Sequence, residues 1–134
     1  TLKPAVHDAL HALFRQTVEG IAAAHGVRLE LDLRYSYPPT INTPDQAALA
    51  AEACAAVVGE DGIKADLPSL TAGEDFAYFL REAPGAFILL GQAGESESSR
   101  TPVHNGRYDF NDELLPIGAA ILAGIVAKEL AQSR

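Results

Sequence analysis

From Val27 to Tyr35 apolar and charged residues alternate without a break: Val27, Leu29, Leu31, Leu33 and Tyr35 against Arg28, Glu30, Asp32 and Arg34. Alternation over nine positions predicts a strand with one face on a core and the other in water. Ahead of it, Val6, Leu10, Leu13, Phe14 and Ile21 recur at helical spacing after Pro4 and before His25-Gly26. Proline suits a first helical turn and glycine the position past a helix end, so a helix is predicted over 4–25. Tyr37-Pro38-Pro39 removes two backbone donors and closes the strand. The segment 36–43 therefore reads as a connection, and as a crossing between subdomains.

Thr43-Pro44-Asp45-Gln46 has the form of a capping box and opens an Ala-rich helix to Val58, with Gly59 beyond it. Ile63, Ala65 and Leu67 alternate with Lys64 and Asp66 and predict a short strand. Thr71-Ala72-Gly73 predicts a turn into a helix from Glu74 to Leu80, with Phe76, Phe79 and Leu80 inward. Glu74 and Asp75 in its first turn have two readings: stabilisation by the helix dipole, or a helix start whose free N–H groups face a substrate anion. The run Ala86-Phe87-Ile88-Leu89-Leu90 does not alternate, so it predicts a strand buried on both faces of a parallel or mixed central sheet. Gly91 to Thr101, with Ser96, Ser98 and Ser99, reads as a surface loop. The last helix begins near Asn111-Asp112 or at Pro116 and is apolar almost all round to Val126, which predicts burial on several sides, with Lys128, Glu129, Gln132 and Arg134 in water. The expected fold class is α/β.

Composition narrows this only a little. With 134 residues the chain is one domain or pieces of two. Ten Lys+Arg against 18 Asp+Glu give a net charge of −8, which argues against nucleic acid or an anionic membrane as the main partner. The near-continuous apolar run 114–127 contains Pro116, Gly118 and Gly124 and reads as a core helix too short to span a bilayer. The single Cys54 sits among alanines and reads as packing rather than as a nucleophile or ligand; it fits a cytoplasmic setting. The chain has no Met and begins Thr1-Leu2, so it is expected to be processed or incomplete.

Chemistry concentrates in Val103-His104-Asn105-Gly106-Arg107-Tyr108-Asp109-Phe110-Asn111-Asp112: an imidazole, a flexible Asn-Gly corner, two aromatic rings and two carboxylates between apolar elements. A catalytic divalent-metal site needs about three protein ligands, and spacing alone brings no second ligand to His104. His7 and His11 are four apart on one face of the first helix. Lacking an acidic or cysteine partner at matching spacing, they read as part of a solvated helix face. No phosphate-binding glycine loop, paired-cysteine zinc pattern or Gly-x-Ser-x-Gly elbow occurs.

Several stretches together carry a resemblance: Gly73-Glu74-Asp75-Phe76-Ala77-Tyr78; Pro84-Gly85-Ala86-Phe87 with Leu90-Gly91; His104-Asn105-x-Arg107-Tyr108-Asp109-Phe110-Asn111-Asp112-Glu113; and Pro116-Ile117-Gly118-Ala119-Ala120. In this order they resemble the C-terminal part of the metal-dependent amidohydrolases related to hippurate hydrolase, aminoacylase and carboxypeptidase G. Tyr37-Pro38-Pro39-Thr40-x-Asn42 resembles that family's crossing from lid to catalytic domain.

The resemblance implies a fold, a reaction and a set of roles. The whole enzyme would have a zinc-peptidase-like catalytic domain with two divalent ions (Zn or Mn) and an inserted α+β lid, through which it can form a homodimer. Its substrates would be small N-acyl amino acids or peptides, cleaved at an amide by a metal-activated water. Residues 1–36 would be the last helix and strand of the lid, 37–43 the crossing, and 44–134 catalytic-domain sequence. His104 matches the last metal ligand, with Gly106 where the family usually has Pro. Gly73 and Glu74 match the substrate-pocket glycine loop, and Asn42 lies near the substrate. The general base and the other ligands would lie upstream, so no catalytic residue is assigned here. The chain is expected to be a C-terminal fragment, inactive and metal-free by itself. The competing reading is a noncatalytic interaction domain that pairs through an edge strand at 27–35.

Overall fold

The α/β expectation is not met. The computed structural model describes residues 1–94 and 100–132, and among them there are helices and no strand. The elements include α1 (Pro4–Ala24), α2 (Pro44–Val58), a 3-10 turn (Glu60–Gly62), α3 (Phe76–Glu82) and α4 (Leu114–Gln132). Ser96, Ser98, Ser99 and Arg134, read as loop or solvated positions, lie outside the described residues. The segments 27–35, 63–67 and 86–90, expected as strands, are irregular or turn. A strand needs a neighbour whose N–H and C=O groups complete its ladder. The described residues provide none. The side-chain alternation survives in its middle: Leu29, Leu31 and Leu33 are half-buried while Arg28, Glu30, Asp32 and Arg34 are exposed, but Val27 and Tyr35 at its ends are exposed too.

The chain divides into two compact units. The first comprises Thr1–Ile41 and Pro68–Pro84. Here α1 starts at proline, as expected, and ends in a full Schellman motif. The Val27 N–H donates to the Ala22 carbonyl at 3.1 Å and the Gly26 N–H to that of Ala23 at 3.2 Å, with Gly26 at φ 63°. The apolar residues that define the helix, Val6, Leu10, Leu13, Phe14 and Ile21, remain exposed, and Ala22 alone in α1 is buried. His7 and His11 are not on a solvated face. Both are half-buried, and Tyr35 packs on them with ring centroids 4.4 and 4.5 Å away. The Tyr35 hydroxyl donates to Asp8, and that bond holds the phenol above its ordinary pKa range. In α3 the inward residue is Ala77; Phe79 is exposed and stacks on Phe76 at 5.6 Å.

The second unit comprises Asn42–Leu67 and Gly85–Arg134. Its core is the seam between α2 and α4, which buries Leu49, Ala50 and Ala53 against a face that includes Ile121. Small residues make the approach close: a Cβ built on Gly124 would meet the Ala53 Cβ at 3.7 Å. Lys128 and Glu52 close the seam with an ion pair of 2.9 Å. The expected burial of α4 on several sides is not seen; Leu115, Leu122, Val126 and Leu130 are exposed. At 19 residues and mean hydropathy 1.8, α4 is long and apolar enough to cross a membrane, contrary to the length read from the apolar run alone. A core helix of a water-soluble protein meets the same criterion.

The capping box expected at Thr43 is not formed either. Thr43 turns its hydroxyl to the Gly85 N–H at 3.1 Å, while its own N–H donates to the Gly85 carbonyl at 2.9 Å. One residue earlier, the Asn42 side chain accepts from the Phe87 N–H at 2.8 Å and donates to the Phe87 carbonyl at 3.0 Å. These four bonds hold the entry to α2 against the segment 85–87. Asn42→Ala removes two of them. With both groups partly solvated, the expected loss is about 1 kcal/mol, read as a lower urea midpoint. An unchanged midpoint would show that the clamp contributes nothing.

Candidate functional site

The stretch around His104 is a built turn. The Tyr108 N–H donates to the Asn105 carbonyl at 2.9 Å, and the Arg107 N–H to the Asn105 side-chain oxygen at 2.9 Å. Asn105 thus organises the corner, as short polar side chains do in Asx turns. The Tyr108 hydroxyl donates to Gln92 at 3.0 Å, tying the turn to residues after the 86–90 run. At the far end, the Asn111 side chain accepts from the Glu113 N–H at 3.1 Å, just ahead of α4.

Within this turn the left-handed backbone is not where an Asn-Gly pair suggests. Gly106 does not use it; His104 does, at φ 67°. For a residue with a Cβ that conformation costs about 1–2 kcal/mol, so the turn carries the imidazole at some expense to stability. His104 is exposed and makes no hydrogen bond or ion pair with another described residue.

Gly73 and Glu74 lie in the first unit. The place a Cβ would occupy on Gly73 is 2.9 Å from Cδ2 of Tyr37, so a side chain there requires the ring to shift. Tyr37 meets Tyr78 edge-on at 6.2 Å, Tyr78 donates its hydroxyl to the Ser36 carbonyl at 3.2 Å, and the Arg81 guanidinium lies over the Tyr78 ring. Glu74 accepts from the Phe76 N–H at 3.2 Å and so takes up one of the donors at the start of α3. Beside this cluster is an open depression of about 150 Å³ lined by Pro4, Pro38, Pro39, Ile41, Ala77, Leu80 and Arg81.

Sequence reasoning had no signal for two of these features. The Gly73–Tyr37 contact joins residues 36 positions apart, and the Asn42 clamp joins residues 45 apart. His104 and Asn42 fall in one unit, Gly73 and Glu74 in the other. Among the described residues no three His, Cys, Asp or Glu side chains come together. The two divalent ions implied by the resemblance therefore lack a ligand set in the described residues, with His104 as a single donor.

A family model described as peptidase family M20/M25/M40 matches residues 3–128. The chain belongs to that family. The motif resemblance is thereby borne out. Among M20 relatives, a putative amidohydrolase of Bacillus subtilis is 29% identical over 89% of this chain and 30% of its own length. An N-acetyldiaminopimelate deacetylase of Streptococcus suis is 38% identical over 76% of the chain and 26% of its own. A hippurate hydrolase of Campylobacter jejuni is 30% identical over 84% and 28%. The chain thus spans less than a third of these relatives. No solved structure matches it.

Two changes test the local geometry. Gly73→Ala is expected to cost roughly 1 kcal/mol or more by overpacking against Tyr37, and to cost nothing in a Tyr37→Ala background. Equal costs in both backgrounds would exclude the contact. His104→Gly is expected to raise stability by up to about 1 kcal/mol by removing the left-handed penalty, whereas His104→Ala is not. Thermal melts of the three proteins decide it.

Proposed function

We propose that this chain is part of a longer metal-dependent amidohydrolase that cleaves the amide bond of N-acyl amino acids or small peptides with a metal-activated water. What supports this most is the ordered family match over 3–128, together with relatives named for hydrolysing or deacylating such compounds. In this reading residues 1–36 belong to a lid that also dimerises, 37–43 cross between domains, and 44–134 belong to the catalytic domain. His104 is one ligand of a divalent ion, Zn or Mn. Its exposed imidazole and left-handed backbone support that reading over one of packing. Gly73 and Glu74 in the first unit, and Asn42 in the second, fixed on the Phe87 backbone, are substrate-binding residues. Of the ligands expected at the catalytic site, the chain supplies His104, and it has no assigned general base, so it is inactive alone.

Isolated, the chain is expected to hydrolyse no N-acyl amino acid. Joined to the upstream part of a family enzyme, it is expected to gain turnover, and His104→Ala is expected to lower kcat by at least about 10²-fold with the fold retained by circular dichroism. Full activity with alanine at position 104 would remove the ligand assignment; hydrolysis by the isolated chain would remove the fragment reading.

A further inference from the structure

We infer that His7 and His11 form a second, separate site for a borderline divalent cation such as Zn²⁺. The two imidazoles stand one helical turn apart on α1, the His-x-x-x-His spacing at which two side chains on a helix face can hold one metal ion. Their rings are stacked, with centroids 4.3 Å apart. Two nitrogens at ordinary zinc distances on a tetrahedral ion are about 3.3 Å apart, and the soft χ2 torsion of histidine lets the rings converge that far.

A second observation points the same way. Nε2 of His7 is buried and has no hydrogen-bond partner. Such an atom costs stability unless something satisfies it, and a cation on its lone pair would do so. Tyr35 packs on both rings and donates its hydroxyl to Asp8, which adds no third ligand to the pair. Imidazole is a donor suited to Zn²⁺, Ni²⁺ and Cu²⁺. The net charge of −8 favours cation approach. With two protein donors, water completes the coordination. The site stands on unit-one residues alone and does not depend on the role given to His104.

The test is titration of the 134-residue chain with Zn²⁺ by calorimetry, and with paramagnetic Ni²⁺ by NMR. Ni²⁺ is expected to broaden the ring signals of His7, His11 and Tyr35 first. His7→Gln and His11→Gln are each expected to weaken Zn²⁺ binding roughly tenfold or more, with His25→Gln unchanged. Broadening that begins at His25 or His104, Zn²⁺ affinity unaltered by both glutamine variants, or no binding at all overturns the inference. The wild-type broadening pattern does not depend on whether any variant folds.

Discussion

The side chain of Asn42 does for Phe87 what a neighbouring strand would do: it takes the backbone N–H and supplies a donor to the carbonyl. Thr43 repeats the arrangement on Gly85, with one bond from its hydroxyl and one from its backbone. The requirement met here is that backbone donors and acceptors be paired wherever apolar packing reduces access to water. In the second unit this clamp holds residues 85–87 beside the start of α2. The start of α2 in turn sets the line along which Leu49, Ala50 and Ala53 meet α4. Only small residues lie at the tightest part of that seam, so position and closeness depend on each other.

The same requirement explains why the helical elements were legible and the strands were not. A helix pairs its backbone within itself, so Pro4, Gly26, Pro44 and Gly59 marked α1 and α2 to within a residue. A strand is completed by another segment. The alternation at 27–35 correctly separated half-buried leucines from exposed charges, yet without a partner segment it does not become a ladder. Apolar content misled in a similar way: α4 is apolar all round, but burial requires surfaces to meet it, and among the described residues α2 covers one face.

The candidate site divides along the same line. His104 stood out in the sequence because an imidazole beside Asn-Gly, in a stretch shared with an enzyme family, is specific in combination. Its left-handed backbone was not readable, since the Asn-Gly pair assigns that conformation to the glycine. Gly73 was readable only as a turn residue. The Tyr37 ring that crowds any side chain there comes from a distant part of the chain. The histidine pair on α1 shows the opposite case. Its spacing was evident, but its enclosure under Tyr35 was not, and a solvated face was the wrong inference from charge pattern alone.

By itself, the sequence determined where α1 and α2 begin and end, that Leu29, Leu31 and Leu33 turn inward, and the family to which the chain belongs, because each of these rests on local backbone chemistry or on motifs in linear order. Tertiary structure alone decided that Asn42 binds the Phe87 backbone, that Tyr37 fills the space beside Gly73, that Tyr35 covers His7 and His11, and that no ladder forms among the described residues. Each of those depends on groups far apart in the chain meeting within a few ångströms, and no local pattern encodes such a distance.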